Sequence, residues 1–249
     1  MQIQAVKTKK IVAGDDIFAI LDQYLPKLEE KSVVAITSKI LAICQGEIVE
    51  HGKIEKIDLI KKESDFFVDP TGAKHGIVIT IKDNFMVATA GIDESNGNGY
   101  YVLWPKERQA WANKIKNYLK EKNNISNLGI VITDSKTTPL KKGTTGFCIA
   151  HSGFYALKNY IHTPDIFGRE MHVTEANHAE GLAAAAVLAM GEGDEQTPLA
   201  VISDLDLVKF NDNDPHQTEL DRLNIELEDD LYYPILSKAD WIKGDNKKL

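Results

Sequence analysis

Two short apolar runs, each followed by a turn containing Asp, place the strongest constraint on the fold of this 249-residue chain. The first run, FMVA at 85–88, leads to DESN at 93–96, and the second, LGIVI at 128–132, leads to TDS at 133–135. Apolar runs of this length between turn residues are typical of buried strands. In open α/β sheets ligands collect at the carboxyl ends of strands, so the pattern predicts a polar site at a sheet edge. The structural alternative is two ordinary turns, in which Asp, Asn, Ser and Gly are common.

The composition is that of a globular protein long enough for one large domain or two small ones, with 43% hydrophobic and 27% charged residues. No apolar run approaches the roughly 20 residues that span a bilayer, and the N-terminus lacks the apolar core of a signal peptide. The net charge of −8 argues against a nucleic-acid partner. Cys44 and Cys148 have no metal-binding spacing, and we expect reduced thiols in a cytoplasmic protein.

The spacing of apolar and capping residues predicts helices and strands in irregular alternation. Helical spacing runs from Asp15 to Glu30, with Asp15 as the cap and Pro26 expected to end or kink the helix. The other expected elements are a strand from Ser32 to Thr37, a short helix or a continuation of the strand from Ser38 to Cys44, a hairpin of Ile77–Ile81 and Phe85–Ala90, a helix opened by Trp104-Pro105, an Ala-rich helix capped by Asn177 and ending at Gly191, and a strand from Leu199 to Ile202.

This alternation predicts the α+β (mixed α/β) class, with a mixed sheet and flanking helices. We find no boundary marker, so residues 1–249 are expected to form a single unit or two interleaved subdomains. Residues 204–249 form an acidic extension. Its aromatic run, 231–241, is expected to pack back on the body.

Four stretches resemble successive motifs of the coenzyme F(420) gamma-glutamyl ligase family: ATAGIDESN (88–96), VITDS (131–135), TPDIFGREMHVTE (163–175) and LAAAAVLAMGEGDEQTP (182–198). They occur in the family's order, and the similarity extends from about Gly14 to Ser203. The resemblance implies a ligase that joins L-glutamate through its amine to a carboxylate on a deazaflavin coenzyme. It also implies GTP or ATP, Mg²⁺ or Mn²⁺ with K⁺ as a further candidate, and an intertwined homodimer.

Matching the family's motifs residue by residue gives the candidate site residues. Metal ligands are Asp93, Asp134, Ser135 and Glu192; nucleotide contacts are Ser38, Lys39, Asn96, Gly191, Gly193 and Asp194; and the catalytic candidates are Lys39 and Arg169. Each has a structural alternative. Lys39 can be a solvated residue in a first helical turn, Glu192 can belong to a plain helix-exit turn, and Arg169 can brace its own loop. Neither a P-loop nor a dinucleotide motif is present in the sequence.

The chain departs from the family pattern on the side expected to hold the acceptor. Ile43 stands where relatives commonly have Lys, KTTPLKKG at 136–143 replaces an Arg-containing run, and Lys82-Asp83-Asn84 lacks the expected His. Lys cannot reproduce the bidentate fork of Arg. A folate gamma-glutamyl ligase is therefore one alternative. A nucleotide-binding protein without ligase activity is an alternative from another class.

Overall fold

The computed structural model describes residues 1–71 and 76–246, and its centre is a mixed five-stranded sheet. The strands of this sheet, in spatial order, are β1 (Gln2–Val6), β12 (Leu199–Ser203), β2 (Ser32–Thr37), β8 (Leu128–Thr137) and β9 (Thr144–Ser152). Only β2 and β8 pair in parallel within this sheet, and every other neighbouring pair is antiparallel. The predicted mixed sheet with flanking helices is confirmed.

Helices cover both faces of the central sheet. They are α1 (Ile17–Tyr24), α2 (Ser38–Gln45) and α4 (Arg108–Asn123) on one face and α5 (His178–Met190) on the other. The first face holds the larger core, which includes Ile36, Leu41, Ile115 and Phe147. Small residues of α5, such as Ala183 and Ala186, are fully buried on the second face. None of the helices in the described ranges is long and apolar enough to cross a membrane.

A second, smaller layer packs beside the central sheet. It contains α3 (Lys56–Glu63), the antiparallel sheet of β4 (Phe66–Val68), β5 (Ile79–Lys82), β6 (Phe85–Ala88) and β13 (Trp241–Lys243), and the pair β3 (Ile48–Glu50) and β7 (Tyr100–Val102). The hairpin predicted across Asp83-Asn84 is confirmed, and both turn residues have the positive φ that such tight turns require.

Two predicted helix starts are wrong. Asp16, rather than Asp15, caps α1 by accepting a hydrogen bond from the Ala19 N–H at 2.9 Å, because Asp15 is already paired with Lys9. Pro105 does not open α4, which begins at Arg108. The Gln45 carboxamide holds the preceding segment through the N–H and carbonyl of Lys106, at 2.9 and 3.1 Å.

Two segments extend from this body. A hairpin, which we call the arm (residues 157–177), consists of β10 (Leu157–Asn159), β11 (Glu175–Asn177) and the turn region between them. The segment after β12 contains the short helices α6 (Gln217–Asp221) and α7 (Tyr233–Leu236) before it returns to the second layer as β13. Within this segment Trp241 pairs with Val68, whereas Leu231 is 85% exposed.

Candidate functional site

The parallel pair of strands brings Lys39 and Asp134 to one edge of the central sheet. Pairing of β2 with β8 ends at Thr37 and Thr133, so Lys39 in the first turn of α2 and Asp134 on β8 both follow that line of paired residues. A register shift against β9 lies between Ile132 and Thr133, one residue before Asp134. Such irregularities re-aim side chains, and they are frequent next to active sites.

The expectation that both Asp residues end strands of one sheet is wrong in two respects. Asp134 lies inside β8, which continues to Thr137, and β6 belongs to the smaller antiparallel sheet. Asp93 follows a turn in which Thr89 and Ala90 have positive φ, and it then forms an isolated bridge with Val102. The two carboxylates therefore come from different layers of the molecule.

Asp93 is bound on both sides by neighbouring polar groups. Its Oδ2 lies 2.7 Å from the Lys39 Nζ, and its Oδ1 accepts hydrogen bonds from the N–H and hydroxyl of Ser95 at 2.7 and 2.8 Å. Lys39 also donates to the carbonyl of Ser95 at 2.9 Å. Burial opposes ionisation of Asp93, but the Lys39 ammonium and the Ser95 hydrogen bonds outweigh it and hold the pKa below its usual range. Asp93 is thus a carboxylate at neutral pH.

Asp134 lies in a less polar environment. Its Oδ2 accepts a hydrogen bond from the indole N–H of Trp104, whose side chain is buried, and its Oδ1 accepts from the Ser135 N–H at 2.7 Å. Burial, aided by the negative charge of Asp93, raises the pKa of Asp134 to about 6, although the hydrogen bonds from Ser135 and Trp104 and the charge of Lys39 act to lower it. A bound cation would relieve the cost of ionising this carboxyl group.

The loop after α5 joins these two carboxylate-bearing segments. Glu192 accepts a hydrogen bond from the Ser135 hydroxyl at 2.7 Å, and the Asn96 carboxamide donates to the Gly193 carbonyl at 2.9 Å. Gly191 ends the helix with φ +79°, where an added Cβ would lie 2.4 Å from the Glu195 carboxyl carbon. The loop can therefore fold this tightly only with glycine at Gly191.

Nine of the eleven predicted site residues lie in segments that hydrogen bonds and an ion pair join into one network, whereas Arg169 lies outside it. The network segments contain Ser38 and Lys39, Asp93 and Asn96, Asp134 and Ser135, and Gly191, Glu192 and Gly193, with Asp194 exposed beside the last. Arg169 lies at the tip of the arm, where its N–H donates to the Asp165 carboxylate at 2.9 Å. Among the described residues, no hydrogen bond or ion pair joins the Arg169 side chain to the network.

Sequence reasoning missed three residues that shape the network. Trp104 orients Asp134, Thr144 donates to Glu192 at 3.3 Å, and Glu195 accepts from the Gly193 N–H at 2.8 Å. The Gly193 N–H is thus already bonded in this state. Trp104 lies 30 residues before Asp134 in a different layer, so no local pattern could have found it. Glu195 could have been suspected because it lies within the matched GEGDEQTP motif.

Two carboxylates, a hydroxyl and an ammonium group together suit a phosphorylated ligand with a hard cation. Across residues 1–71 and 76–246 no three His, Cys, Asp or Glu side chains are already grouped as a metal site. Mg²⁺ usually takes only one or two carboxylates and completes its shell with water and substrate phosphates. Asp93 and Asp134 satisfy that requirement, and Lys39 beside them can meet a phosphate as a point charge.

Comparison with known proteins identifies the family of this chain. Residues 5–204 match the model of the family described as F420-0:Gamma-glutamyl ligase. The chain is similar to proteins named coenzyme F420:L-glutamate ligase from several methanogens. The Methanosarcina mazei protein is 32% identical over 83% of this chain and 87% of its own length, and the Methanocaldococcus jannaschii protein is 31% identical over 70% and 76%. The Methanopyrus kandleri protein is 27% identical over 79% and 84%.

Proposed function

This chain belongs to the F420-0:gamma-glutamyl ligase family, and from that premise we propose that it adds L-glutamate to a coenzyme of the F420 type. The proposed reaction uses GTP or ATP to activate a carboxylate of the coenzyme, which then forms a gamma-linked amide with the amine of glutamate. A carboxylate and an amine do not condense spontaneously in water, so the activation step is essential.

The observation that carries this proposal is the convergence of distant segments around Asp93 and Asp134. Lys39, the 93–96 turn, the 134–135 pair and the 191–195 loop are linked by hydrogen bonds of 2.7 to 3.1 Å. An arrangement of ordinary turns would not require such links between segments up to 97 residues apart. The same segments hold the motif residues of the family.

The side-chain oxygens of the site suit a divalent metal because they are hard ligands. Burial disfavours the ionised form of Asp134, and a bound cation would stabilise that form. Asp93 and Asp134 would hold the ion, with Ser135 and Glu192 next to it. When bound, Mg²⁺ or Mn²⁺ supplies positive charge that stabilises the charge developing on transferring phosphates. K⁺ remains a further candidate cofactor from family resemblance alone.

The residues of the chain then have distinct roles. Lys39 would bind the migrating phosphoryl group, while Asn96 and the 191–194 loop, which are joined by a hydrogen bond, would border the nucleotide. An oxygen of the acceptor carboxylate attacks the γ-phosphorus, and the nucleoside diphosphate leaves. The glutamate amine then attacks the resulting acyl phosphate at carbon, phosphate leaves, and the amine loses a proton.

We also propose that the protein acts as a homodimer and that the arm contacts the second copy. The arm exposes three large apolar side chains that its own body does not cover, with Ile166 92%, Phe167 89% and Val173 86% exposed. Such a set on one projecting element favours an interface. Arg169 at its tip would then act at the partner's site or brace the arm.

Incubation with nucleotide, Mg²⁺ or Mn²⁺ and L-glutamate tests the reaction directly. The expected result is a mass increase of one glutamyl residue on the F420-type acceptor, with release of phosphate and nucleoside diphosphate. Release of pyrophosphate and monophosphate would indicate adenylation and overturn the acyl-phosphate step. Extension of a folate but not of the F420-type coenzyme would show that the acceptor is a folate. Nucleotide binding without extension of either acceptor would overturn the proposed ligase activity.

A further inference from the structure

A cavity of about 510 Å³ opens beside the free edge of the central sheet, outside the network described above. Its walls are the outer strand β9 near Ile149, the first turn of α4, the Asp83-Asn84 turn of the hairpin and the start of α5. Small-molecule sites commonly have volumes of roughly 300 to 1,000 Å³. The cavity is therefore large enough for a ring system of several fused rings.

The lining of the cavity suits a flat ring with polar edges. Its carboxamides, each able to donate and accept hydrogen bonds, are those of Asn84, Gln109, Asn177 and Asn224. Apolar walls between them come from residues such as Phe85 and Leu223. The described lining residues include three carboxylates, from Asp83, Glu107 and Glu180, and a single guanidinium. Two of these carboxylates are already paired with cations, Asp83 with Arg108 and Glu180 with Lys136.

The guanidinium of Arg108 is held rigidly at the cavity wall. It lies 2.7 Å from Asp83, donates to the Ile149 carbonyl at 2.9 Å, and lies 5.6 Å from the ring centre of Phe85. Arg108 is also 5.2 Å from the ring centre of Trp104, the residue that donates to Asp134. One rigid stack thus forms a wall of the cavity and supports a carboxylate of the site.

Lys136 connects the lining of the cavity to the strand that carries Asp134. Lys136 follows Asp134 by two residues on β8, so both side chains leave the strand on the same face. Its Nζ lies 3.3 Å from Glu180, which lines the cavity, and 4.8 Å from the ring centre of Phe147. A ligand with its ring in the cavity could extend an anionic tail past Lys136 toward Asp134.

The cavity is not placed for the base of the nucleotide. It borders the first turn of α5, whereas the loop proposed to meet the nucleotide follows the last turn of that helix. A helix of 13 residues is about 20 Å long. The other partner of the reaction, the acceptor, is the substrate that this separation favours.

We propose that this cavity binds the heteroaromatic ring of the acceptor, and that the segment after β12 determines which ring is accepted. Leu220, Leu223 and Asn224 form its outer wall, and they lie beyond residue 204, where the family match ends. This inference rests on the proposed ligase function for the identity of the ring. It assigns acceptor specificity to residues outside the family match.

The test measures binding of a 5-deazaflavin ring that carries neither phosphate nor carboxylate, followed by its own fluorescence. Leu223→Trp fills the cavity from the outer wall, and Ala110→Phe fills it from an exposed position on α4. Leu231→Trp and Asn117→Phe add the same side chains at exposed positions away from the cavity. Binding of GDP with Mn²⁺ is measured for every variant as a check of folding and of the nucleotide site.

We expect both filling variants to weaken ring binding at least tenfold, while the control variants and all affinities for GDP stay within twofold. Absence of ring binding to the wild-type protein, or equal binding by filling and control variants, would overturn the inference. So would a parallel loss of GDP affinity in Ala110→Phe and Leu223→Trp, since the nucleotide base would then occupy the cavity. Failure of the ligase function shows separately, as wild-type protein that binds the ring but never extends the F420-type acceptor.

Discussion

The network around Asp134 and the arm that carries Arg169 contain equally specific sequence motifs in opposite structural settings. The network side chains are bonded to segments far away in sequence, for example Asn96 to Gly193 and Ser135 to Glu192. The arm is bonded mainly to itself, as between His162 and Met171 at 2.8 Å, and exposes Phe167. A motif can thus mark residues that converge within one chain or residues on an exposed hairpin, for which we propose contacts with a second copy.

The largest expected effect on ligand binding is the loss of metal-dependent nucleotide binding in Asp93→Asn and Asp134→Asn. Each change removes an anionic ligand from a hard cation. Calorimetry with GTP and Mg²⁺ should show at least about a 100-fold weaker affinity, more than the usual loss on removing a group that only supports a ligand. Asp206→Asn, an exposed Asp outside the network, is the matched control. Unchanged affinity in both site variants would refute the metal assignment.

A pair of Phe substitutions separates the two regions by stability. Phe147 is fully buried next to Trp104, so Phe147→Ala should lower the free energy of unfolding by about 3–5 kcal/mol. Phe167→Ala on the arm should change the free energy of unfolding of the monomer by less than about 0.5 kcal/mol. Denaturant unfolding of dilute protein measures both. Sedimentation at higher concentration should show a weakened dimer for Phe167→Ala alone, and a large loss of monomer stability would show that the arm packs on its own body.

Thiol labelling provides a second contrast. Burial raises the pKa of Cys44 on α2 to about 12, and Cys148 is buried with a raised pKa as well. At pH 8 the thiolate fraction of Cys44 is then at least about 100-fold below that of an ordinary cysteine. Val173→Cys, at an exposed position of the arm, should react at the rate of a free thiol. Equal rates for the native and introduced cysteines would mean that the region around α2 opens freely.

Lys39→Ala distinguishes a phosphate ligand from a simple counterion of Asp93. If Lys39 binds phosphate, the substitution should weaken nucleotide binding by about 1.5–3 kcal/mol, the range for a hydrogen bond to a charged group. If it only neutralises Asp93, removing it should strengthen binding of Mn²⁺ without nucleotide and leave nucleotide affinity intact. Lys53→Ala, an exposed ion-paired lysine outside the network, is the control.

The smallest effect on nucleotide binding is expected for Trp104→Phe. This substitution keeps an aromatic ring against Phe85 and Phe147 but removes the N–H that donates to Asp134. We expect about tenfold weaker Mg²⁺-dependent nucleotide binding, as for other losses of a group that orients a metal ligand. Trp111→Phe, on the same sheet face but outside the network, is the control. Equal affinities in the two variants would show that the indole hydrogen bond does not position Asp134.

Local sequence patterns predicted which helices and strands form better than they predicted where those elements begin and how they contact one another. The Asn177 cap and the Asp83-Asn84 turn depend on neighbouring residues, and both are as expected. The start of α4 depends on Gln45, which is distant in sequence and holds Lys106 in a non-helical position. The candidate residues came from motif resemblance, but their grouping depends on strand order. The hydrogen bond from Trp104 to Asp134 is a tertiary contact, so the sequence around either residue does not predict it.

Strand order also determines when the site can first exist during synthesis. Strand β12 lies between β1 and β2 in the sheet, although it follows both of them in the sequence by most of the length of the chain. Until β12 emerges from the ribosome, the amino-terminal strand has no neighbour to pair with, and the 191–195 loop is missing from the network. Contacts of such long sequence separation slow folding and leave strand edges open to other chains. The central sheet of the nascent protein is therefore completed late. Protection of its open strand edges by chaperones matters most before β12 has been synthesised.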